Sequence, residues 1–176
     1  MTPTLFQALV GAPFFHLPDA VRALHSVRGD ARYAGRGRIV RGRGMLARLC
    51  GGVTGLPRAA EDVPVSVQFE TGPAGEIWAR DFGGSRMRSR LWQHKGELRE
   101  RLGLVQFRFR VHAHDGVLYW NTIGASVLGV LPLPGCLFRD VRCREREHAG
   151  RYEFLVEARM PLVGDLIRYE GWLEPV

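Results

Sequence analysis

Residues 105–114, VQFRFRVHAH, constrain the fold most strongly, because apolar and polar side chains alternate there without exception. Successive side chains of an extended strand point to opposite faces, so this period of two predicts a half-buried β-strand. Residues 63–70 repeat the alternation, with Val65, Val67 and Phe69 on one side. The sequence therefore predicts an antiparallel sheet over residues 63–174.

Glycine-containing turn signals divide this region into segments of about eight to twelve residues. They lie at residues 72–75, 83–84, 95–96, 115–116 and 149–150. This spacing leaves no room for the helical crossovers that parallel strands require. About eight consecutive strands with one apolar face must curl to bury that face. We therefore predict one domain over residues 1–176 of the mainly β (α+β) class. Its core is an antiparallel meander rolled into a barrel or strongly curved sheet, with short N-terminal helices packed on it.

Residues 1–58 are predicted to form a basic, helix-rich N-terminal part. The chain carries a formal charge of +7, and residues 22–58 hold nine arginines and one acid, a local charge of +8. Pro18 and Asp19 predict the start of a short amphipathic helix that ends before Gly29. A further short helix is predicted over residues 45–53. Between the two helices, four glycines predict that residues 31–44 form an extended edge strand.

The Arg-Gly-rich segment at residues 35–44, GRGRIVRGRG, is a candidate anion-binding site. Guanidinium groups bind phosphate in a bidentate manner, and glycine permits close approach of the backbone. The partner would be a nucleic acid or an anionic membrane surface, contacted by Arg36, Arg38, Arg41 and Arg43. The alternative is that arginines on an exposed edge strand prevent edge-to-edge association.

An eight-residue pattern, P-L-x-G-x-L-apolar-R, occurs at residues 132–139 and again at 161–168. In a meander the two segments fall at the same end of the sheet, where their leucines give the rim an apolar character. A barrel of about eight strands has room for one small apolar ligand. The candidate ligand-binding residues, in the interior or at the rim, are Trp78, Phe107, Phe109, Tyr119, Leu133, Phe138, Leu162 and Ile167. The alternative is that both segments are ordinary corners whose leucines pack into the core.

Two histidines, His112 and His114, lie two residues apart on the alternating strand and therefore share a face. This spacing suits a shared metal ion, but it also suits two solvated side chains on a polar surface. A metal-dependent enzyme is thus the third hypothesis, and it requires this face to be a pocket. The three cysteines form no CxxC pair. No catalytic residue and no cofactor is predicted.

The segment at residues 116–138 contains 23 residues without a charged side chain, which is long enough to cross a bilayer as a helix. Its prolines, glycines and polar residues favour a strand, a corner and a second strand instead. No transmembrane segment is therefore predicted. The N-terminus lacks the basic residues of a signal peptide, so we expect a cytoplasmic protein.

Several segments together resemble the bacterial family called domain of unknown function 4166. They are residues 24–30 (LHSVRGD), 35–38 (GRGR), 41–48 (RGRGMLAR), 61–65 (EDVPV), 82–91 (FGGSRMRSRL) and 167–173 (IRYEGWL). The resemblance runs nearly end to end. No activity accompanies the family, so it assigns no functional residue. Some members carry a saccharopine-dehydrogenase-like module, so the resemblance implies an accessory binding role beside such an oxidoreductase.

Overall fold

A computed structural model describes residues 2–42, 44–45, 56–138, 140–161 and 164–176. The N-terminal residues form two short α-helices, α1 (Leu5–Val10) and α2 (Asp19–His25), separated by a 3₁₀ helix at Ala12–His16. The prediction of a short helix after Pro18 is confirmed by α2. The helix predicted over residues 45–53 lies outside the described residues, apart from Met45.

Eleven strands account for most of the remaining described residues. They are β1 (Gly29–Arg41), β2 (Ala60–Gly72), β3 (Gly75–Phe82), β4 (Ser85–His94), β5 (Glu97–Leu102), β6 (Val105–His114), β7 (Val117–Val127), β8 (Leu131–Leu133), β9 (Asp140–His148), β10 (Arg151–Met160) and β11 (Gly164–Pro175). Every pairing is antiparallel, and β1 pairs with β11 at one seam while β6 pairs with β7 at the other. Ten strands therefore close into a barrel, with β8 as an extra strand on β7.

The alternation found in the sequence explains the barrel interior. On β2, Val65, Val67 and Phe69 are buried, and on β6, Val105, Phe109 and Val111 are buried. The predicted antiparallel meander is confirmed, and the sheet curves far enough to close into a barrel. The strand count is higher than the predicted eight because a turn at Gly103–Leu104 separates β5 from β6 and because the N-terminal part also contributes a strand.

Strand β1 corrects the prediction of an edge strand. It pairs with β2 on one side and with β11 on the other, so neither of its edges is free. The barrel thus begins at Gly29, inside the part predicted to be helix-rich. Gly35 and Gly37 share the inward face with the buried side chains of Tyr33 and Ile39, whereas Arg36 and Arg38 lie on the outer face. The Arg-Gly repeat is therefore a strand alternation in which glycine takes the inward positions.

The helices cover one end of the barrel, which we call the closed end. Phe6 of α1 is fully buried, and its ring lies 3.9 Å from the ring of His25 and 5.2 Å from that of Trp120. The backbone N–H of Ala20, at the start of α2, donates to the carboxylate of Glu147 on β9 at 2.7 Å. These contacts attach the helices to strands that lie far away in sequence.

The opposite end, which we call the mouth, is shaped by the uncharged segment at residues 116–138. Near the closed end β7 pairs with β9, but near the mouth it pairs with the short strand β8 instead. A 3₁₀ helix at Gly135–Phe138 then leads back to β9. The prediction of strands and a corner for this segment is confirmed. Among the described residues, no helix combines the length and the apolar character needed to cross a bilayer.

Candidate functional site

A cavity of about 320 Å³ lies inside the barrel at the mouth. We call it the mouth pocket. Of the sixteen described residues that line it, fourteen are apolar, and the other two are Glu100 and Tyr169. Strands β5, β6, β7, β9, β10 and β11 supply most of the lining, because their inward-facing positions carry apolar side chains. Phe138 and Leu133 close the gap where β7 and β9 separate.

A second cavity, of about 80 Å³, lies deeper in the barrel. We call it the inner cavity. Five residues line both cavities, so one layer of side chains separates them: Glu100, Phe109, Val141, Val156 and Tyr169. Trp120 also lines the inner cavity, and its indole N–H has no hydrogen-bond partner among the described residues. The inner cavity is large enough for water and offers a donor to an oxygen atom.

A charged pair lies between the two cavities. The guanidinium of Arg80 is 3.3 Å from the carboxylate of Glu100, and both side chains are about nine-tenths buried. Arg80 also donates to the hydroxyl of Ser89 at 2.8 Å and lies over the ring of Trp78. Burial raises the pKa of the Tyr169 phenol, which keeps it neutral beside this pair. Glu100 and Tyr169 therefore present the polar atoms at the inner end of the mouth pocket.

A second polar cluster lies at the closed end. Nε2 of His25 is 2.5 Å from the carboxylate of Glu145, and both side chains are buried. Burial raises the pKa of Glu76, whose carboxylate accepts a hydrogen bond from the indole N–H of Trp78 at 2.8 Å. Burial and the Glu145 carboxylate also raise the pKa of the Cys143 thiol. Because Phe6 covers His25 and α2 carries it, this cluster joins the helices to the barrel.

The predicted ligand-binding residues divide between four places. Five of them line the mouth pocket, namely Phe107, Phe109, Leu133, Phe138 and Ile167. Trp78 lines the inner cavity. Leu162 lies outside the described residues. Tyr119 lines neither cavity, because Leu118 and Trp120 on either side take the inward positions and Tyr119 stacks on the exposed ring of His112.

Two of the predicted anion-binding arginines, Arg36 and Arg38, lie exposed on the outer face of β1, and each is paired with an acid. Arg36 makes a bidentate pair with Asp62, at 2.6 and 2.7 Å, and Arg38 lies 2.9 Å from Glu61. The hydrogen bond to Arg36 lowers the pKa of Asp62. Arg41 donates to the backbone carbonyl of Leu56 at 3.5 Å, and Arg43 lies outside the described residues. The acids that pair with Arg36 and Arg38 both lie near the start of β2.

The face of His112 and His114 is an open surface. Both side chains are exposed, and His114 lies 3.3 Å from Asp115. No group of three metal-ligating side chains occurs among the residues that the structure describes. The pocket that the metal hypothesis requires is therefore absent at this place.

Sequence reasoning missed Arg80 and Glu100 as interior residues. Glu100 shares its side of β5 with the buried Leu98 and Leu102. Arg80 has the same parity as Trp78 and Phe82, which are buried. Strand parity places Arg80 inside directly, and it places Glu100 inside once the turn at Gly103–Leu104 is recognised. The pairing of His25 with Glu145 carried no such signal, because 120 residues separate the two.

A comparison with family models matches residues 17–173 to a domain of unknown function (DUF4166). The match covers nearly the whole chain, so the chain belongs to this family, as the resemblance of its sequence segments predicted. A search of curated proteins finds no significant match.

Proposed function

We propose that this member of the DUF4166 family is a non-catalytic binding domain that holds an apolar small molecule or lipid in the mouth pocket. The observation that carries the proposal is the pocket itself. Interiors of folded proteins rarely contain voids larger than a water molecule, whereas small-ligand sites start at roughly 300 Å³. A cavity of about 320 Å³ with a lining that is almost entirely apolar fits the second class.

The polar atoms at the inner end of the pocket narrow the chemistry of the ligand. Glu100 already accepts from Arg80, and the neutral phenol of Tyr169 supplies a hydroxyl. A ligand with an ionised carboxylate would meet the Glu100 carboxylate, which repels it. An apolar body with at most a neutral hydroxyl or carbonyl group therefore suits this pocket best.

Two further features belong to the same proposal. We expect the domain to act in the cytoplasm. We also expect that it serves beside a saccharopine-dehydrogenase-like oxidoreductase, as the family resemblance implies, because a carrier that holds an apolar molecule without changing it is a reasonable companion of an enzyme. Pull-down of the full chain with such an oxidoreductase from the same genome tests the second feature.

The binding test uses the neutral fluorophore N-phenyl-1-naphthylamine, whose emission rises in apolar surroundings. We expect saturable binding to the full chain and about a tenfold or greater loss of affinity in Ala158→Phe, because a phenyl ring at this position on β10 occupies the pocket. Ala74→Phe makes the same change in an exposed turn at the closed end and serves as the control. Organic extraction of the purified protein followed by mass spectrometry would identify a ligand that copurifies.

The proposal is contradicted if the folded chain takes up no probe. It is equally contradicted if Ala158→Phe and Ala74→Phe bind the probe as the unchanged chain does. Circular dichroism of each variant establishes that the comparison is made between folded proteins.

A further inference from the structure

Four exposed apolar side chains form a patch beside the mouth, which we call the apolar rim. It consists of Leu104 in the β5–β6 turn and Leu128, Val130 and Leu131 at the β7–β8 turn, which are 49, 59, 81 and 61% exposed. The two turns touch, because the backbone N–H of Leu128 donates to the carbonyl of Leu104 at 2.8 Å. Val105 and Val127, next to the rim in sequence, line the mouth pocket. The rim therefore borders the entrance.

Packing within the folded chain does not explain why large apolar side chains occupy the rim. Leu128 has a φ of 53°, a conformation that asparagine, aspartate and glycine adopt far more readily than leucine. The other described non-glycine residues with positive φ are Lys95, Asp115 and Ala149, none of which is a large apolar residue. Leu128 thus combines backbone strain with the exposure of more than half of its side chain. A surface that contacts the rim would supply the missing burial.

The charges near the rim favour one kind of surface. No charged side chain occurs between Gly116 and Phe138, so the β7–β8 turn enters an apolar medium without desolvating a charge. Behind Leu104, Arg101 faces Arg90 across the β4–β5 pair on the outer face. Arg90 lies over the ring of Trp92, and neither arginine forms an ion pair with an acid of the described chain. Apolar side chains in front of cations without an acidic partner match the layers of an anionic bilayer, with its acyl chains beneath its phosphates.

The size of the patch argues against a protein partner. Stable protein interfaces bury roughly 800 Å² on each side, which four partly exposed side chains do not provide. We propose that the apolar rim docks on the surface of an anionic lipid bilayer, with Leu128 and Val130 in the acyl region and Arg90 and Arg101 at the phosphates. Docking itself does not depend on the pocket; only the passage of a ligand from the bilayer to the pocket rests on the proposed function.

Co-sedimentation with vesicles tests the docking. Vesicles of phosphatidylcholine are compared with vesicles that also contain phosphatidylglycerol, and we expect binding to the second kind. The double variant Leu128→Asn/Val130→Asp should lower the partition coefficient by about tenfold or more, because two inserted apolar side chains are lost. Asparagine suits the positive φ of residue 128, so the single variant Leu128→Asn should weaken binding while its melting temperature is unchanged or raised.

Ala149→Asn is the matched control, because it places asparagine at a positive φ in a turn at the closed end. We expect it to bind vesicles as the unchanged chain does. The double variant Arg90→Ala/Arg101→Ala should reduce the preference for phosphatidylglycerol and the sensitivity to salt.

Three results would overturn the inference: no sedimentation of the unchanged chain with either vesicle, equal losses in Leu128→Asn and Ala149→Asn, or a stable dimer in light scattering that the rim variants dissociate. Probe binding is measured without vesicles, so a failure of docking leaves the test of the pocket intact, and an empty pocket leaves the test of docking intact.

Discussion

Replacing Gly35 by alanine tests why the Arg-Gly repeat exists. A Cβ atom at this position would lie 1.8 Å from the backbone carbonyl oxygen of Trp172 on β11 and 2.8 Å from its carbonyl carbon. Ordinary contacts of this kind begin near 3.4 Å, and the atom in the way belongs to the backbone, which cannot rotate aside. Gly35→Ala must therefore push β1 and β11 apart at the seam that closes the barrel.

The magnitude follows from the hydrogen bonds at the seam. A separation of this size breaks about two ladder bonds, each worth roughly 0.5–1.5 kcal/mol, and overpacking adds about 1–3 kcal/mol of strain. Because alanine has fewer backbone conformations than glycine in the unfolded chain, the substitution also raises the free energy of unfolding by about 0.5–1 kcal/mol. The net loss is therefore about 1–5 kcal/mol. For a chain of this length, the middle of that range, about 3 kcal/mol, corresponds to a fall in melting temperature of roughly 6–12 °C.

The assay is urea denaturation followed by circular dichroism, with Gly72→Ala as the control. Gly72 lies at the end of β2, and a Cβ atom there meets nothing within 4 Å. The control should stay within about 0.5 kcal/mol of the unchanged chain. A Gly35→Ala variant that is as stable as the control would refute the explanation. If the glycines instead admitted a phosphate, the substitution would lower affinity for anions and leave stability unchanged.

Two further predictions concern the polar cluster at the closed end. Glu145→Ala leaves His25 buried without its partner, so it should lower the free energy of unfolding in urea by roughly 3–5 kcal/mol. Glu145→Gln should lose less, because its amide still forms a hydrogen bond. A loss below about 1 kcal/mol for the alanine variant would contradict this prediction. Burial raises the pKa of Glu76, so the folded state favours its protonated form. This group's contribution to stability is fully present below its unfolded pKa of about 4.3 and is lost as the pH rises through the raised pKa of the folded state. Glu76→Gln should therefore be more stable than the unchanged chain at pH 7, and the difference should vanish below about pH 4; an equal difference at both pH values would count against it.

The strands could be predicted from the sequence because alternation is a local property. Each inward position on β2 and β6 is visible within a window of about eight residues, and glycine marks most of the turns. The missed turn between β5 and β6 contains a single glycine followed by Leu104, which resembles a continuing strand. Without this turn, β5 and β6 read as one strand. The alternation of β6 then continues back to Glu100 and places it on the outer face.

The closure of the barrel could not be predicted in the same way. The seam joins β1 to β11, and its register pairs Gly37 with Gly171. No local pattern connects two segments this far apart in sequence. The glycines of the Arg-Gly repeat predicted an extended edge because they disfavour a helix, whereas the close approach of β11 is the reason for them. The apolar mouth was easier to predict, because the repeated P-L-x-G-x-L pattern indicated an apolar rim at the end of the sheet where the pocket lies.

The two ends of the barrel differ in the kind of side chain that fills them, and this difference limits how far a ligand in the mouth pocket could extend into the barrel. An apolar group that moved inward past the mouth pocket would meet the Arg80–Glu100 pair and then a cavity of only about 80 Å³. Covering this pair with an apolar group removes water from both charges and is costly. A ligand longer than the mouth pocket must therefore extend outward, past Leu128 and Val130, rather than toward the helices. The exposed apolar rim would then cover the protruding part of the ligand, so the pocket and the rim form one continuous apolar path.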